Sequence, residues 1–171
     1  MTLQVIDVPV KKRGVQKVSK VSETLNKLHV LQEELNKYLV TNVTDRPLVQ
    51  SPQAVYDLMS PFLSYIPHEE MWIMMLDTRM RVIGITKLYQ GTLDSSPVRV
   101  GELFRQAIAQ NANNIILLHN HPSGDTTPSP EDINVTRECV AAGKILDIPV
   151  SDHLIIGENK FTSLKEKGLG F

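Results

Sequence analysis

A chain of 171 residues suffices for one ordinary domain with an appendage and excludes two full domains. Hydrophobic content of 42%, charged content of 22%, 10 prolines and 9 glycines exclude a low-complexity or disordered chain. A net charge of −1 excludes a whole-molecule field steering the protein onto nucleic acid, a single cysteine excludes an internal disulfide, and no apolar run nears the ~20 residues of a membrane span.

Near the N-terminus Asp7 interrupts the only apolar character, so no signal peptide is read and the expected location is the cytoplasm. "KKRGVQKVSK" carries five positive charges and no negative ones, which makes residues 11 to 20 a candidate arm for weak nucleic-acid contact. It lacks interleaved aromatics for base stacking, so a solvated tail is the favoured reading. Val18, Val21, Leu25, Leu28, Leu35 and Leu39 then recur as one stripe of an amphipathic helix. Such a helix is marginal alone and must pack on its own domain or on a second copy, giving a candidate homodimer contact over residues 18 to 39.

"TNVTDRPLVQSP" reads as a linker, and the expected division is residues 1 to 50 as leader, helix and linker, and 51 to 171 as the main domain. Ser51 as N-cap and Pro52 at the first helical position open a helix expected to run to about Ser60, where Pro61 disrupts it. "MWIMMLD" and "RVIGITKLYQG" form two extended runs around the turn at "TRM", a hairpin. In "VGELFRQAIAQNA", Leu103, Phe104, Ala107 and Ile108 make one helical face. "NIILL" has the continuous apolar character of a strand buried on both sides. A helix over "PEDINVTRECVAAGKILDI", with Cys139 as a small buried residue, precedes a last hairpin turning at Glu158 to Lys160. Strands mixed with helices imply a layered α/β domain on a partly antiparallel sheet.

The chemistry concentrates in "LLHNHPSGDTTPSPED". On an extended strand residues i and i+2 share a face, so His119 and His121 project side by side. Asp132 follows in the first turn of the next helix. Two neutral imidazoles and a carboxylate are a three-ligand set that leaves a tetrahedral Zn²⁺ an open position for water. The same acid has a purely structural reading, because Ser129, Pro130 and Asp132 fit an acidic capping box.

His119, His121, Ser129 and Asp132 match HxHxxxxxxxSxxD, and "HNHPSGDTTPSPED" with "GTL", "AAGKILDI", "SDHLIIG" and "SLKEKG" closely resembles the DNA repair protein RadC branch of the JAB/MPN (JAMM) metalloprotease family. The resemblance runs from about Ser51 to Gly168 and implies a deaminase-like three-layer α/β fold, a catalytic zinc and hydrolysis of a peptide or isopeptide bond in a peptide or protein substrate. It implies that His119, His121 and Asp132 bind the metal and that Ser129 donates to the metal-bound water or the developing oxyanion. It also implies a glutamate on an early strand as proton carrier. Glu69 aligns best with that position and Glu70 is its neighbour; strand alternation lets only one enter the site.

Glu102 competes for the same role, although a carboxylate near a helix start is stabilised by the helix dipole anyway. The RadC-like pattern of Pro-Arg before this glutamate is replaced here by Val100 and Gly101. Asp152 and His153 match the family's "DH"; support of a ligand imidazole and pairing within the hairpin are both open for Asp152. A zinc deaminase, which needs PCxxC, is excluded by the single cysteine. The rivals to a metal-dependent hydrolase are a non-catalytic interaction or assembly module and a DNA repair factor. Longer RadC-like members carry a helix-hairpin-helix module where this chain has the amphipathic helix.

Overall fold

The computed structural model describes residues 45–91 and 99–171, together with helical positions 23, 27, 30, 31, 33, 34 and 37. The basic arm and the apolar stripe of residues 18 to 39 lie outside the described residues, as do residues 41–44 at the start of the linker. Residues 38–171 form one compact unit. No helix among the described residues is long and apolar enough to cross a membrane.

Five strands, β1 (Glu70–Leu76), β2 (Val82–Gln90), β3 (Asn114–Asn120), β4 (Val150–Gly157) and β5 (Lys160–Ser163), form one sheet in the order β2-β1-β3-β4-β5. Only β3 and β4 run parallel; the other pairs are antiparallel. The apolar run "NIILL" thus occupies the sheet centre, and all seven residues of β3 are buried. The helices described within residues 45–171 are α1 (Pro52–Leu63), α2 (Val100–Ala109), α3 (Pro130–Leu146) and the short α4 (Leu164–Lys167).

Side-chain alternation sorts the sheet into two faces. Met74, Leu76, Ile116, Leu118, Leu154 and Ile156 pack with Val55, Met59 and Leu63 of α1. Ile73, Met75, Ile115 and Leu117 pack with Leu103, Phe104 and Ala107 of α2 and with Cys139 of α3. Helices on both faces of a mixed sheet give the three-layer α/β architecture expected.

Two expectations need correction. Helix α1 continues through Pro61 to Leu63. Proline in the last turn removes one N–H bond, while Leu63 beyond it is fully buried, and that burial outweighs the loss. In α2, Ile108 is 53% exposed, so the buried face is Leu103, Phe104 and Ala107 alone.

Helix α3 crosses β4 closely because of Gly143. A Cβ there would stand 2.6 Å from the Ile148 carbonyl oxygen and 3.3 Å from the Phe104 ring. The carbonyl is main chain and cannot turn aside. Gly143→Ala is therefore expected to destabilise by about 1–3 kcal/mol despite alanine's better helix propensity, measured as a lower urea midpoint with unchanged slope.

Candidate metal centre

The connection from β3 to α3 carries the chemistry. Strand β3 delivers His119 as its penultimate residue, fully buried, and the chain stays extended long enough for the His121 N–H to donate to the Ile156 carbonyl of β4 at 3.0 Å. The two imidazoles consequently project together, with ring centroids 5.0 Å apart and planes at 87°. Gly124 has φ of 75°, a left-handed turn that its missing Cβ permits, and it brings the Asp125 carbonyl back to His121. Gly157 of β4 admits this turn, since a Cβ there would meet the Gly124 oxygen at 2.8 Å.

Both histidines have one nitrogen committed to a main-chain carbonyl. His119 Nδ1 donates to Glu70 O at 3.1 Å, and His121 Nδ1 donates to Asp125 O at 2.6 Å. These bonds place the proton on Nδ1 and leave each Nε2 with its lone pair directed inward.

Asp132 faces them from the first turn of α3. Its Oδ2 accepts from Ser129 N at 2.8 Å and from Ser129 Oγ at 2.7 Å, and the Asp132 N–H donates back to Ser129 Oγ at 3.1 Å. This is the capping box expected from sequence. The carboxylate has a second oxygen, however. Asp132 Oδ1 is buried without any hydrogen-bond partner, 3.8 Å from His119 Nε2, while Oδ2 lies 3.5 Å from His121 Nε2. An unpartnered buried carboxylate oxygen beside two inward lone pairs is costly unless a cation completes the group. His119, His121 and Asp132 each offer a ligand atom, all within 4.8 Å of one another, so these residues could hold a metal ion.

The electrostatics fit that reading. Burial lowers the pKa of His119 to about 4, against the attraction of Asp132, so this imidazole is neutral at pH 7. In the metal-free site the Asp132 carboxylate favours the protonated His121 ring by hydrogen bonding it at Nε2 and so raises its pKa above the ordinary value, and a bound cation would displace that second proton. Burial alone would raise the Asp132 carboxyl, but the His121 bond, the proximity of His119 and the two Ser129 bonds hold it well below the usual carboxylate range.

The remaining candidates separate by face. Met71 of β1 pairs with His119, so odd-numbered side chains at the start of β1 share the histidine's side of the sheet. Glu69 immediately precedes β1, and its charge contributes, as the smallest of the causes, to the raised pKa of His121. Glu70 points the other way. Its buried carboxylate accepts from Trp72 Nε1 at 2.8 Å and Lys87 Nζ at 3.1 Å and contacts His68 Nε2 at 2.9 Å. Glu102 sits in the first turn of α2, bound by the Tyr89 hydroxyl at 3.0 Å and by Arg99 at 3.2 Å.

Asp152 supports no ligand imidazole: it accepts from the Ser163 hydroxyl and from the His153 and Lys165 N–H groups, which is the hairpin pairing. The reason is alternation, because Asp152 pairs with Ile116 on the α1 face. His153 lies on the metal-centre side with Leu117. Thr136 Oγ1 donates to Asp132 O at 2.6 Å and so accepts from His153 Nδ1 at 2.7 Å, leaving His153 Nε2 buried without a partner. Sequence reasoning missed Thr136. Its place one turn after Asp132 was the available signal.

An α/β domain with a His/His/Asp group that could hold a metal ion, at the end of a central strand and the start of a helix, is the class that the geometry defines. The chain belongs to the RadC-like JAB domain family, whose sequence model matches residues 49–169. It is 47% identical over 131 residues to a UPF0758 protein of Chloroflexus aggregans, covering 77% of this chain and 57% of that one. A UPF0758 protein of Chloroflexus aurantiacus is 43% identical over 159 residues, 92% of this chain and 66% of its own length. For one of Desulfitobacterium hafniense the figures are 48% over 124 residues, 72% and 55%. The chain thus spans between about half and two thirds of the length of these curated relatives.

Proposed function

We propose that this protein is a zinc-dependent hydrolase that cleaves an amide bond, peptide or isopeptide, in a peptide or protein substrate. The observation that carries the reading is the buried Asp132 Oδ1, without a partner and facing two imidazoles whose lone pairs are set by main-chain carbonyls. Two histidines and one carboxylate are a donor set that zinc accepts with a position left open. When bound, zinc would supply a Lewis acid at the scissile carbonyl and acidify water near neutral pH.

The chain's own residues would do the rest. Glu69, whose charge acts on His121, takes the proton from attacking water and delivers it to the leaving amine. Ser129 Oγ directs its single proton at Asp132 Oδ2. It holds the ligand carboxylate as it stands, and donation to an oxyanion requires that hydroxyl to rotate. In this reading Glu70, whose carboxylate is taken up by His68, Trp72 and Lys87, has no part in proton transfer.

The test uses a library of fluorogenic peptide amides and isopeptide-linked peptides on zinc-loaded protein. Glu69→Gln is expected to keep one zinc per chain and to lower hydrolysis about 10²–10⁴-fold. Cleavage undiminished in Glu69→Gln, or unaffected by chelation, would remove the proposed chemistry.

A further inference from the structure

The residue between the two histidines has a different task from theirs. Strand alternation turns Asn120 to the opposite side, where it is 1% exposed. Its carboxamide reaches the segment that leads into β1. Oδ1 accepts from the Glu70 N–H at 2.6 Å, and Nδ2 donates to the His68 carbonyl at 3.0 Å and to the Ile66 carbonyl at 3.5 Å. The His68 carbonyl and the Glu70 N–H belong to the two peptide groups that flank Glu69. One side chain therefore holds the main chain on both sides of that glutamate.

We propose that Asn120 is the positioning residue for Glu69: its carboxamide clamps both flanking peptide planes and so aims the Glu69 side chain at the histidine pair. The proposal rests on the reading of Glu69 as the proton carrier and adds how that residue is placed. With the planes before and after residue 69 held, the direction of its Cα–Cβ bond is set. A third tether acts in the same sense, since the Gly91 N–H donates to the Glu69 carbonyl at 2.9 Å. The hold matters because Glu69 stands just outside β1 and is not paired with β3, whose register with β1 begins at Met71 opposite His119. A segment at a strand entrance opens readily without such bonds. The clamp also links the site to itself. Asn120 grips the N–H of Glu70 while its neighbour His119 bonds the carbonyl of the same residue, so the strand that presents the histidines also fixes the approach of the acid.

The experiment compares wild type, Asn120→Ala and Asn120→Ser, the serine variant serving if alanine fails to fold. Without metal, amide hydrogen exchange at Glu70 is expected to accelerate about tenfold or more in the variants, with Leu118 unchanged. With Mn²⁺ bound, carbon-13 spectra of labelled glutamate, assigned through Glu69→Gln, are expected to show that the Glu69 carboxyl loses most of its paramagnetic broadening while one metal remains per chain. Unchanged exchange at Glu70, or full broadening retained in the variants, overturns the clamp. A purely structural Asn120 would lower stability and leave the broadening intact. Should wild type bind no manganese or zinc, the proposed hydrolase fails, and the exchange measured without metal still decides whether Asn120 holds this segment.

Discussion

On the proposed reading, Asp132→Asn should abolish tight zinc binding while leaving the metal-free protein folded, at a moderate cost in stability. The two carboxylate oxygens have separate occupations: Oδ2 closes the capping box with Ser129, and Oδ1 faces the imidazoles with no partner. An asparagine keeps one oxygen for the Ser129 N–H and hydroxyl and presents an amide N–H₂ to the Nε2 lone pairs of His119 and His121. The helix cap survives, and the unsatisfied oxygen disappears. Loss of a charged ligand from a three-ligand set is expected to weaken zinc binding by about 4 kcal/mol, roughly a thousandfold in Kd, read by competition with a chromophoric chelator. Metal-free stability at pH 7 should fall by about 1–3 kcal/mol, because the amide keeps the cap but gives up the charge that His121, His119 and Ser129 stabilise. Zinc retained within tenfold would mean that Asp132 serves only its helix.

The metal-free protein should lose stability steeply on acidification between about pH 6.5 and pH 4. Burial, opposed only in part by the attraction of Asp132, lowers His153 to about 3 and His119 to about 4, against an ordinary 6.5. Below pH 6.5 the unfolded chain binds protons at these positions while the folded chain does not, so stability rises with pH across this window and is lost as pH falls toward the folded values. His153 alone accounts for about 3 kcal/mol between pH 7 and pH 4. His121 has the opposite sign: its raised value contributes stability that is complete below pH 6.5 and fades as pH rises through the folded value. Urea unfolding in the presence of a chelator at several pH values checks the profile. His153→Asn, whose amide can still donate to Thr136, should flatten the slope by about one proton, roughly 1.4 kcal/mol per pH unit. A profile equally steep in the variant would remove His153 as its source.

Much of the site's location was legible. The spacing of His119 and His121 after a continuous apolar run required a strand end with two imidazoles on one side, and Ser129, Pro130 and Asp132 required a capped helix start. These are local consequences of backbone periodicity and cap chemistry. What the acid does with its second oxygen was not legible, because capping and metal binding ask for the same residue at the same place. The choice between Glu69 and Glu70 was equally hidden. Two adjacent carboxylates at a strand entrance look alike until the tertiary partners of one of them, here His68, Trp72 and Lys87 around Glu70, are known.

Asp152 shows the same limit from the other side. Its position beside His153 suggested support for the ligands, yet its pairing with Ile116 turns it to α1 and the Ser163 hairpin. Pro61 illustrates a different one: its cost is local and readable, but the burial of Leu63 that outweighs it depends on a helix meeting a sheet.

The sequence by itself determined the order of the strands and helices in the chain, the central apolar strand, the capped start of α3 and the residues able to bind a metal, because each follows from periodicities and bonds spanning a few neighbours. Only the tertiary structure decided which face each charged group joins and which carboxylate oxygen is left over. It alone also brought Asn120 to the peptides around Glu69, 50 positions away from its bond to Glu70. Those outcomes depend on inter-strand register, where a shift of one residue moves every side chain to the opposite side of the sheet.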